Sequence, residues 1–177
     1  VTTPLALAPN GTIAISDATR KQLSDLAQSL EGGAAPLSVQ VLPEILDGLV
    51  RSTQPVDIDL LARLQTAFAN HDLLRAPFVP FSPSRAKRAS RANDFQRLSK
   101  LGDEIIELRN GEKSLSPNVW FSNVLADADG ADLLSGFSVH TVVLTPEAAA
   151  KIGTLDNYAK PYRISSDVAV RTTDPVF

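Results

Sequence analysis

Leu37-Ser-Val-Gln-Val-Leu-Pro43-Glu44-Ile-Leu46 joins a strand-like run to a helix-forming run at a proline. Proline suits the first turn of a helix, because its φ is preset for a helix and its missing N–H would have no partner there. The same unit recurs at Phe78-Val-Pro-Phe-Ser82-Pro83-Ser-Arg-Ala86 and at Val139-His-Thr-Val-Val-Leu-Thr145-Pro146-Glu147-Ala-Ala149. Each copy predicts a strand that turns directly into a helix.

The rest of the chain continues this alternation of strands and helices. Leu23, Leu26, Ala27 and Leu30 follow helical spacing, and the run 118–122 is typical of a strand. Such an order predicts an α/β fold, with a mostly parallel sheet covered by helices. The sheet is expected to close as a partial or distorted (β/α) barrel, since a complete one needs about 250 residues. An open doubly wound sheet is the alternative.

Composition places the chain among ordinary globular proteins, with 44% hydrophobic and 21% charged residues. Its 177 residues fit a single domain spanning residues 1–177. The absence of cysteine excludes disulfide scaffolds and thiolate metal sites. The chain has no Met, so we expect a segment of a longer protein. No apolar run approaches the eighteen or so residues of a membrane span, so membrane contact is expected only through segments outside this chain.

The charge of the chain argues against nucleic acid as a partner. The formal net charge is -3 and the sequence pI is about 5.3, whereas binding to phosphates needs a basic face. One short stretch departs from this balance, because it carries six basic residues and a single acid, Asp94. We interpret it as a solvated helix face balanced by Glu104 and Glu107. Its basic residues are Arg85, Lys87, Arg88, Arg91, Arg97 and Lys100.

Candidate site residues lie where strands end and helices begin, which is where ligands bind in both predicted architectures. Glu44 and Glu147 each follow a proline, and they are the candidate catalytic carboxylates. Both also suit a first helical turn, where the helix dipole stabilises a carboxylate. Trp120, in a predicted strand, would be a stacking platform for a sugar if it faces a cleft. The other candidate ligand-binding residues are Ser82, Asn123 and Thr145, of which Ser82 and Thr145 also suit helix N-caps.

No pattern in the chain predicts a metal or a cofactor. The two histidines, His71 and His140, form no pair spaced to hold a metal from one helix face. Asp127, Asp129 and Asp132 surround Gly130 as in a calcium loop, but the glutamate that such a loop needs at its twelfth position is missing. No glycine-rich phosphate loop follows a predicted strand.

Five short motifs together resemble a family of large exported cell-envelope proteins of actinobacteria, whose function is unassigned. These proteins are similar in turn to the distorted (β/α) barrels of polysaccharide deacetylases and related glycoside hydrolases, and the resemblance covers residues 37–150. It implies a barrel-like fold and an extracellular or cell-surface location. The deacetylase catalytic residues do not carry over, because the chain lacks the histidine pair. The motifs are Val41-Leu-Pro43-Glu-Ile-Leu46, Asp59-Leu-Leu-Ala-Arg-Leu64, Leu74-Arg-Ala-Pro77-Phe-Val-Pro-Phe81, Pro117-Asn-Val-Trp120-Phe121 and Val142-Val-Leu-Thr-Pro146.

Two functional hypotheses follow. The first is a non-catalytic domain of an exported or membrane-anchored protein, with a binding or assembly role towards a glycan or a protein of the cell envelope. The alternative is a carbohydrate-active hydrolase or deacetylase-like enzyme that uses Glu44 and Glu147. Glycoside hydrolases need their two carboxyl groups roughly 5 to 10 Å apart across a cleft, so this separation discriminates between the hypotheses.

Overall fold

A computed structural model describes residues 6–7, 13–33, 37–78, 82–109, 115–122, 128–144, 162–163 and 169–172. Contacts between Cα atoms divide the chain into two compact units. Unit 1 comprises Val1–Val79 and Lys100–Leu115, and unit 2 comprises Pro80–Ser99 and Ser116–Phe177. The single domain expected from the chain length stays a prediction.

Helices and short strands alternate along the described residues. The α-helices are α1 (Asp17–Glu31), α2 (Pro43–Arg51), α3 (Pro55–Ala67), α4 (Pro83–Arg88), α5 (Ala92–Arg109) and α6 (Ala128–Ser135), and a 3₁₀ turn spans Phe68–Asn70. The strands are β1 (Ala6–Leu7), β2 (Ile13–Ala14), β3 (Ser38–Val39), β4 (Asp72–Arg75), β5 (Leu115–Ser122), β6 (Thr141–Leu144), β7 (Tyr162–Arg163) and β8 (Ala169–Thr172).

In unit 1, α1 and α2 begin where the sequence predicts, whereas α3 begins before Asp57, the residue that the sequence predicts as its N-cap. Ser16 caps α1, because its Oγ accepts a hydrogen bond from the Thr19 backbone N–H at 3.1 Å. Pro43 is the first residue of α2 and Pro55 the first of α3, so both prolines occupy a turn whose N–H groups have no partner within the helix. Pro83 begins α4 in unit 2 in the same way.

The core of unit 1 joins α1, α2 and α3 to a short parallel pair of strands. In this pair β3 lies beside β4, with Val39 opposite Leu73. Because the apolar residues of each helix recur every three or four positions, one stripe of each helix turns inward. Full burial of each large aliphatic side chain contributes roughly 2 kcal/mol. The largest buried side chains of this core are Leu23, Ile45, Leu49, Leu64, Phe68 and Ile106.

The end of α5 in unit 1 packs directly on the backbone that follows β4. A Cβ atom added to Gly102 would lie 2.0 Å from the carbonyl oxygen of Ala76, so only glycine fits at this crossing. Next to it, Arg75 of β4 donates to Asp103 of α5, with Nη2 2.6 Å from Oδ2 and Nε 3.2 Å from Oδ1. The close approach and the ion pair together fix α5 against β4.

Unit 2 combines a small mixed sheet with α4, α6 and the first turns of α5. β6 pairs in parallel with β5 and with β8, and β7 pairs with β8 in the antiparallel sense. α6 approaches α4 closely, since a Cβ on Gly130 would lie 2.5 Å from the Ser84 Oγ. Phe95 packs edge-on against Phe137, with ring centroids 5.6 Å apart. The other buried core residues are Ala86, Ala131, Leu133, Leu134, Val139, Val142 and Leu144.

The predicted (β/α) barrel is wrong, and so is the TIM-barrel-like description of the chain. Most described residues are helical, and the described parallel sheet of unit 1 has two strands joined through two residue pairs. In unit 2, β7 runs antiparallel to β8, whereas the strands of a barrel are all parallel. Neither unit by itself contains the doubly wound sheet of the alternative, so the described elements fit an α/β class only loosely.

The prediction of long strands from the strand-like runs failed for a physical reason. The sequence predicts one strand over Leu37–Leu42, but β3 ends at Val39, and Val41 is buried without belonging to a strand. α3 then follows α2 with no strand between them. Alternating apolar residues indicate that their side chains are buried. Burial of a side chain does not require that its backbone pair with a neighbouring strand.

The sequence from Pro83 to about Arg109 predicts a long helical region, either two helices or one bent at Asn93-Asp94. In the structure Asn93-Asp94 lies inside α5, and the break falls earlier, between Arg88 and Ala92. There the Arg91 N–H donates to the Ala86 carbonyl at 2.8 Å, and Ser90 has a left-handed φ of 56°. Glycine normally provides this geometry of a helix C-terminus, so no residue type marks the break in the sequence.

Candidate functional site

Glu44, the first candidate catalytic residue, is buried. It is the second residue of α2 and is 2% exposed, next to the buried Ile45 of the unit 1 core. A carboxyl group at this depth has no direct access to a substrate. Its proposed partner, Glu147, lies outside the described residues, so the hydrolase hypothesis stays a prediction.

The four candidate ligand-binding residues are not brought together by the described structure. Ser82 is half-buried and caps α4, since its Oγ accepts from the Arg85 N–H at 3.4 Å. The backbone of Trp120 pairs with Val142 between β5 and β6, and its side chain lies outside the description. Asn123 and Thr145 are likewise outside the described residues. The capping function expected of Ser82 is thus confirmed.

The two histidines take no part in a described metal site. His71 is buried, and its Nδ1 accepts a hydrogen bond from the Leu37 backbone N–H at 2.9 Å. Nε2 must then carry the proton, and it donates to the Leu30 carbonyl at 3.3 Å. His71 therefore joins the end of α1 to the start of β3. His140 was expected inside a strand, but it is exposed and precedes β6.

The aspartates that suggested a calcium loop lie on a helix instead. Asp129 and Asp132 belong to α6, where they approach Arg88 at 3.6 Å and Lys87 at 3.7 Å across the α4–α6 packing. Asp127 lies outside the described residues. Among the side chains that are described, no group of three or more His, Asp or Glu residues is placed to hold a metal ion.

Unit 1 has an open groove between α1 and α3, which we call the α1–α3 groove. Its volume is about 350 Å³. Leu60 is buried at its base, and Val56 on its wall is 52% exposed. The α1 side contributes Arg20, Lys21 and Ser24, and the α3 side contributes Val56, Asp59, Leu60 and Arg63.

One end of the groove is fixed by an ion pair between α1 and α3. Arg20 donates to Asp57 through Nε at 2.7 Å and through Nη2 at 3.1 Å, and the Ser52 Oγ donates to Asp57 at 2.5 Å. Asp57 is 1% exposed. The hydrogen bonds from Arg20, assisted by the one from Ser52, lower the pKa of Asp57 despite its burial. The carboxylate therefore stays ionised, and the same contact raises the pKa of Arg20.

The other end is fixed by a second pair of the same kind. Arg63 donates to Glu31 through Nε at 2.8 Å and through Nη2 at 2.7 Å, and its Nη1 donates to the Ser24 Oγ at 3.1 Å. These hydrogen bonds lower the pKa of Glu31. Lys21, on the rim, pairs with Asp25 at 2.7 Å. Since each cation of the groove already has an anionic partner, the groove is not a ready anion-binding pocket.

Sequence reasoning missed this groove. Asp57 was expected to be the N-cap of α3, whereas Gln54 occupies the cap position and Asp57 lies in the first turn. Its partner Arg20 is 37 residues away, and Arg63 lies 32 residues from Glu31. No local pattern links residues so far apart. The only usable signal was the amphipathic spacing of both helices, which indicates that they pack but not against which neighbour.

Comparison with known proteins gives no family. No protein-family model matches the chain, and a search of the curated proteins finds no significant relative. The resemblance to exported envelope proteins therefore remains a prediction. Within the described residues, each helix is too short or too polar to cross a membrane.

Proposed function

We propose that the protein is a non-catalytic binding module of the cell envelope, and that it docks a partner protein in the α1–α3 groove. The observation that supports this most is the apolar wall of the groove, held open between two bidentate ion pairs. The extracellular or cell-surface location rests on the resemblance to exported envelope proteins, and it is part of the proposal.

The chemistry of the groove favours a protein over a small charged ligand. Arg20 and Arg63 already donate to Asp57 and Glu31, so each connects the two walls of the groove. They therefore have few donors left for a free anion. Protein interfaces combine an apolar centre with a charged rim, which is the pattern here. A volume of about 350 Å³ is enough for one large side chain of a partner. Lys21 and Asp59, on opposite helices, form the rim that selects its orientation.

A protein partner is also favoured over an envelope glycan. Sugar-binding sites commonly use aromatic faces for stacking, and none of the residues that line this groove is aromatic. The partner should therefore present a large apolar side chain flanked by both signs of charge. Preformed walls reduce the loss of side-chain freedom on binding, which favours affinity.

Two neighbouring residues of α3 allow a matched test. Val56 lines the groove and is 52% exposed, whereas Ile58 is 54% exposed and is not among the groove residues. A photoreactive amino acid at position 56, introduced into the protein in its native cells, should crosslink a discrete protein that position 58 does not. With that partner purified, Val56→Asp should weaken binding at least tenfold, and Ile58→Asp should leave it within about twofold.

Equal effects of the two substitutions would overturn the proposal, and so would crosslinking that does not depend on position. Retention of the protein on purified envelope polysaccharide, weakened by Val56→Asp, would replace the protein partner by a glycan. Circular dichroism of both variants checks that α3 is intact. Both substitutions place an aspartate in the first turns of α3, so the effect of the helix dipole is matched.

A further inference from the structure

Unit 2 carries a strongly cationic surface that the α1–α3 groove does not involve. The residues from Arg85 to Arg97, which we call the cationic segment, include five basic residues and one acid, a formal charge of +4. The whole chain has a formal charge of -3, so the rest of it carries -7. Such separation of charge within one chain is typical of a surface that meets an anionic partner.

All five cations of the segment are exposed. The side chains of Lys87, Arg88 and Arg91 are 46%, 54% and 63% exposed, and Arg85 and Arg97 are also on the surface. The sequence suggested that Glu104 and Glu107 balance this charge. In the described structure Glu104 lies 3.8 Å from Lys100, a basic residue of the stretch noted in the sequence, which follows the cationic segment.

The anionic neighbours of the segment hold it weakly. Lys87 and Arg88 lie 3.7 and 3.6 Å from Asp132 and Asp129, and exposed pairs of this length contribute little. Arg91 pairs with Asp94 within its own helix region. Within the described part of the chain, Arg85 and Arg97 have no ion-pair partner. Phosphate groups of a ligand could therefore pair with the segment at little cost to the fold.

We propose that the cationic segment binds the phosphate groups of an anionic lipid bilayer, so that the protein touches the membrane surface peripherally. Proteins that bind single-stranded nucleic acid without sequence preference stack bases on exposed aromatic rings. The aromatic residue of this segment, Phe95, is fully buried and packs against Phe137. A bilayer with anionic headgroups needs only the exposed cations. This proposal departs from the expectation that membrane contact occurs only outside this chain, and it does not depend on the proposed partner protein.

Cosedimentation of the full chain with vesicles tests the proposal. Vesicles of phosphatidylcholine with phosphatidylglycerol should bind the protein at about 0.1 M salt, and vesicles of phosphatidylcholine alone should not. Binding should be lost near 0.5 M salt, because screening shortens the range of exposed charges. Arg85→Gln and Arg97→Gln should each weaken binding roughly fivefold, and the double variant by more than tenfold.

Arg51→Gln is the matched control, since Arg51 is equally cationic and exposed but lies in unit 1. It should change vesicle binding by less than about twofold. Equal weakening by Arg51→Gln would mean that only net charge matters and would overturn the proposal. Equal binding to neutral vesicles, or tighter binding to a duplex oligonucleotide than to anionic vesicles, would also overturn it. An unchanged thermal transition of each variant shows that weaker binding does not reflect unfolding.

Discussion

Two Arg–Asp pairs in unit 1 have the same chemistry, but their carboxyl pKa values shift in opposite directions. Arg20–Asp57 and Arg75–Asp103 each join a guanidinium to a carboxylate through more than one hydrogen bond. The pKa of Asp57 is lowered, mainly by the hydrogen bonds from Arg20. The pKa of Asp103 is raised, because desolvation disfavours its charged form more than the hydrogen bonds from Arg75 favour it. An ion pair in a structure is thus not by itself evidence that the pKa of its acid is lowered.

The difference lies in what else surrounds each carboxylate. Asp57 also accepts a hydrogen bond from Ser52, and it lies in the first turn of α3, where the helix dipole favours a negative charge. Asp103 lies well inside α5, and the neighbouring Glu104 raises its pKa further. Burial of a charge is tolerated when enough donors replace the water it has lost.

The largest expected effect comes from removing the cation of each pair. Arg20→Met should destabilise the protein by about 3 kcal/mol, because it leaves an ionised Asp57 buried with fewer donors. Arg75→Met should cost less, about 1 kcal/mol, since the raised pKa of Asp103 makes protonation of that carboxyl easier once its cation is gone. Urea unfolding at neutral pH measures the free energy of unfolding of both variants. Equal losses would contradict the contrast between the pairs.

The second prediction concerns Gly102, the residue next to Asp103, which lets α5 pack on the backbone that follows β4. Gly102→Ala should destabilise by about 2 kcal/mol, since its Cβ would lie 2.0 Å from the Ala76 carbonyl oxygen. Gly32→Ala is the control, because a Cβ there meets its nearest atom at an ordinary 3.5 Å. The control should stay within about 0.5 kcal/mol of the parent in thermal unfolding. A tolerated Gly102→Ala would mean that α5 does not pack on this backbone.

The third prediction is that the two pKa shifts make the free energy of unfolding depend on pH in opposite directions. A lowered folded pKa means that Asp57 contributes stability above its unfolded pKa, about 3.9, and loses it as the pH falls through the acidic range. The raised pKa of Asp103 means that its contribution is present below about 3.9 and is lost as the pH rises through the folded value.

Asparagine variants separate these two contributions. The destabilisation caused by Asp57→Asn should be greatest at pH 7 and should shrink on acidification. That caused by Asp103→Asn should instead grow as the pH falls. Free energies of unfolding between pH 3 and 7 test both slopes, and parallel pH profiles for the two variants would contradict the assigned directions.

The smallest effect concerns another polar group buried in α5, the helix of Asp103. Ser99 is 1% exposed, and its Oγ has no hydrogen-bond partner among the described residues. Ser99→Ala should stabilise the protein by about 1 kcal/mol, because it removes an unsatisfied hydroxyl and improves helix propensity. Ser29→Ala, on exposed α1 surface, should be close to neutral. Differential scanning calorimetry distinguishes them, and destabilisation by Ser99→Ala would indicate a hidden partner for the hydroxyl.

Much of the local structure could be predicted from the sequence. Pro43 and Pro83 begin α2 and α4 as expected, Ser16 caps α1, Ser82 caps α4, and Leu23, Ala27 and Leu30 are buried. These features depend on a few adjacent residues. The barrel could not be predicted in this way, because strand pairing is decided by residues far apart. In the run 37–42, only Ser38 and Val39 pair with a neighbouring strand.

The candidate site stays a prediction, because Glu147, Asn123 and Thr145 lie outside the described residues. Sequence reasoning favoured a rim of helix starts, yet Glu44 is buried and Ser82 is engaged as a cap. The groove between α1 and α3 depends on pairs separated by 32 and 37 residues, which have no sequence signature.

The sequence by itself determined where helices begin, which of their faces turn inward, and where positive charge gathers, because each follows from the properties of neighbouring residues. Only the tertiary structure decided which helices meet, whether the strands close into a barrel, and in which direction the pKa of each of two similar aspartates shifts. Those outcomes depend on the donors and the water that remain around each group after packing, and packing joins residues that the chain keeps far apart.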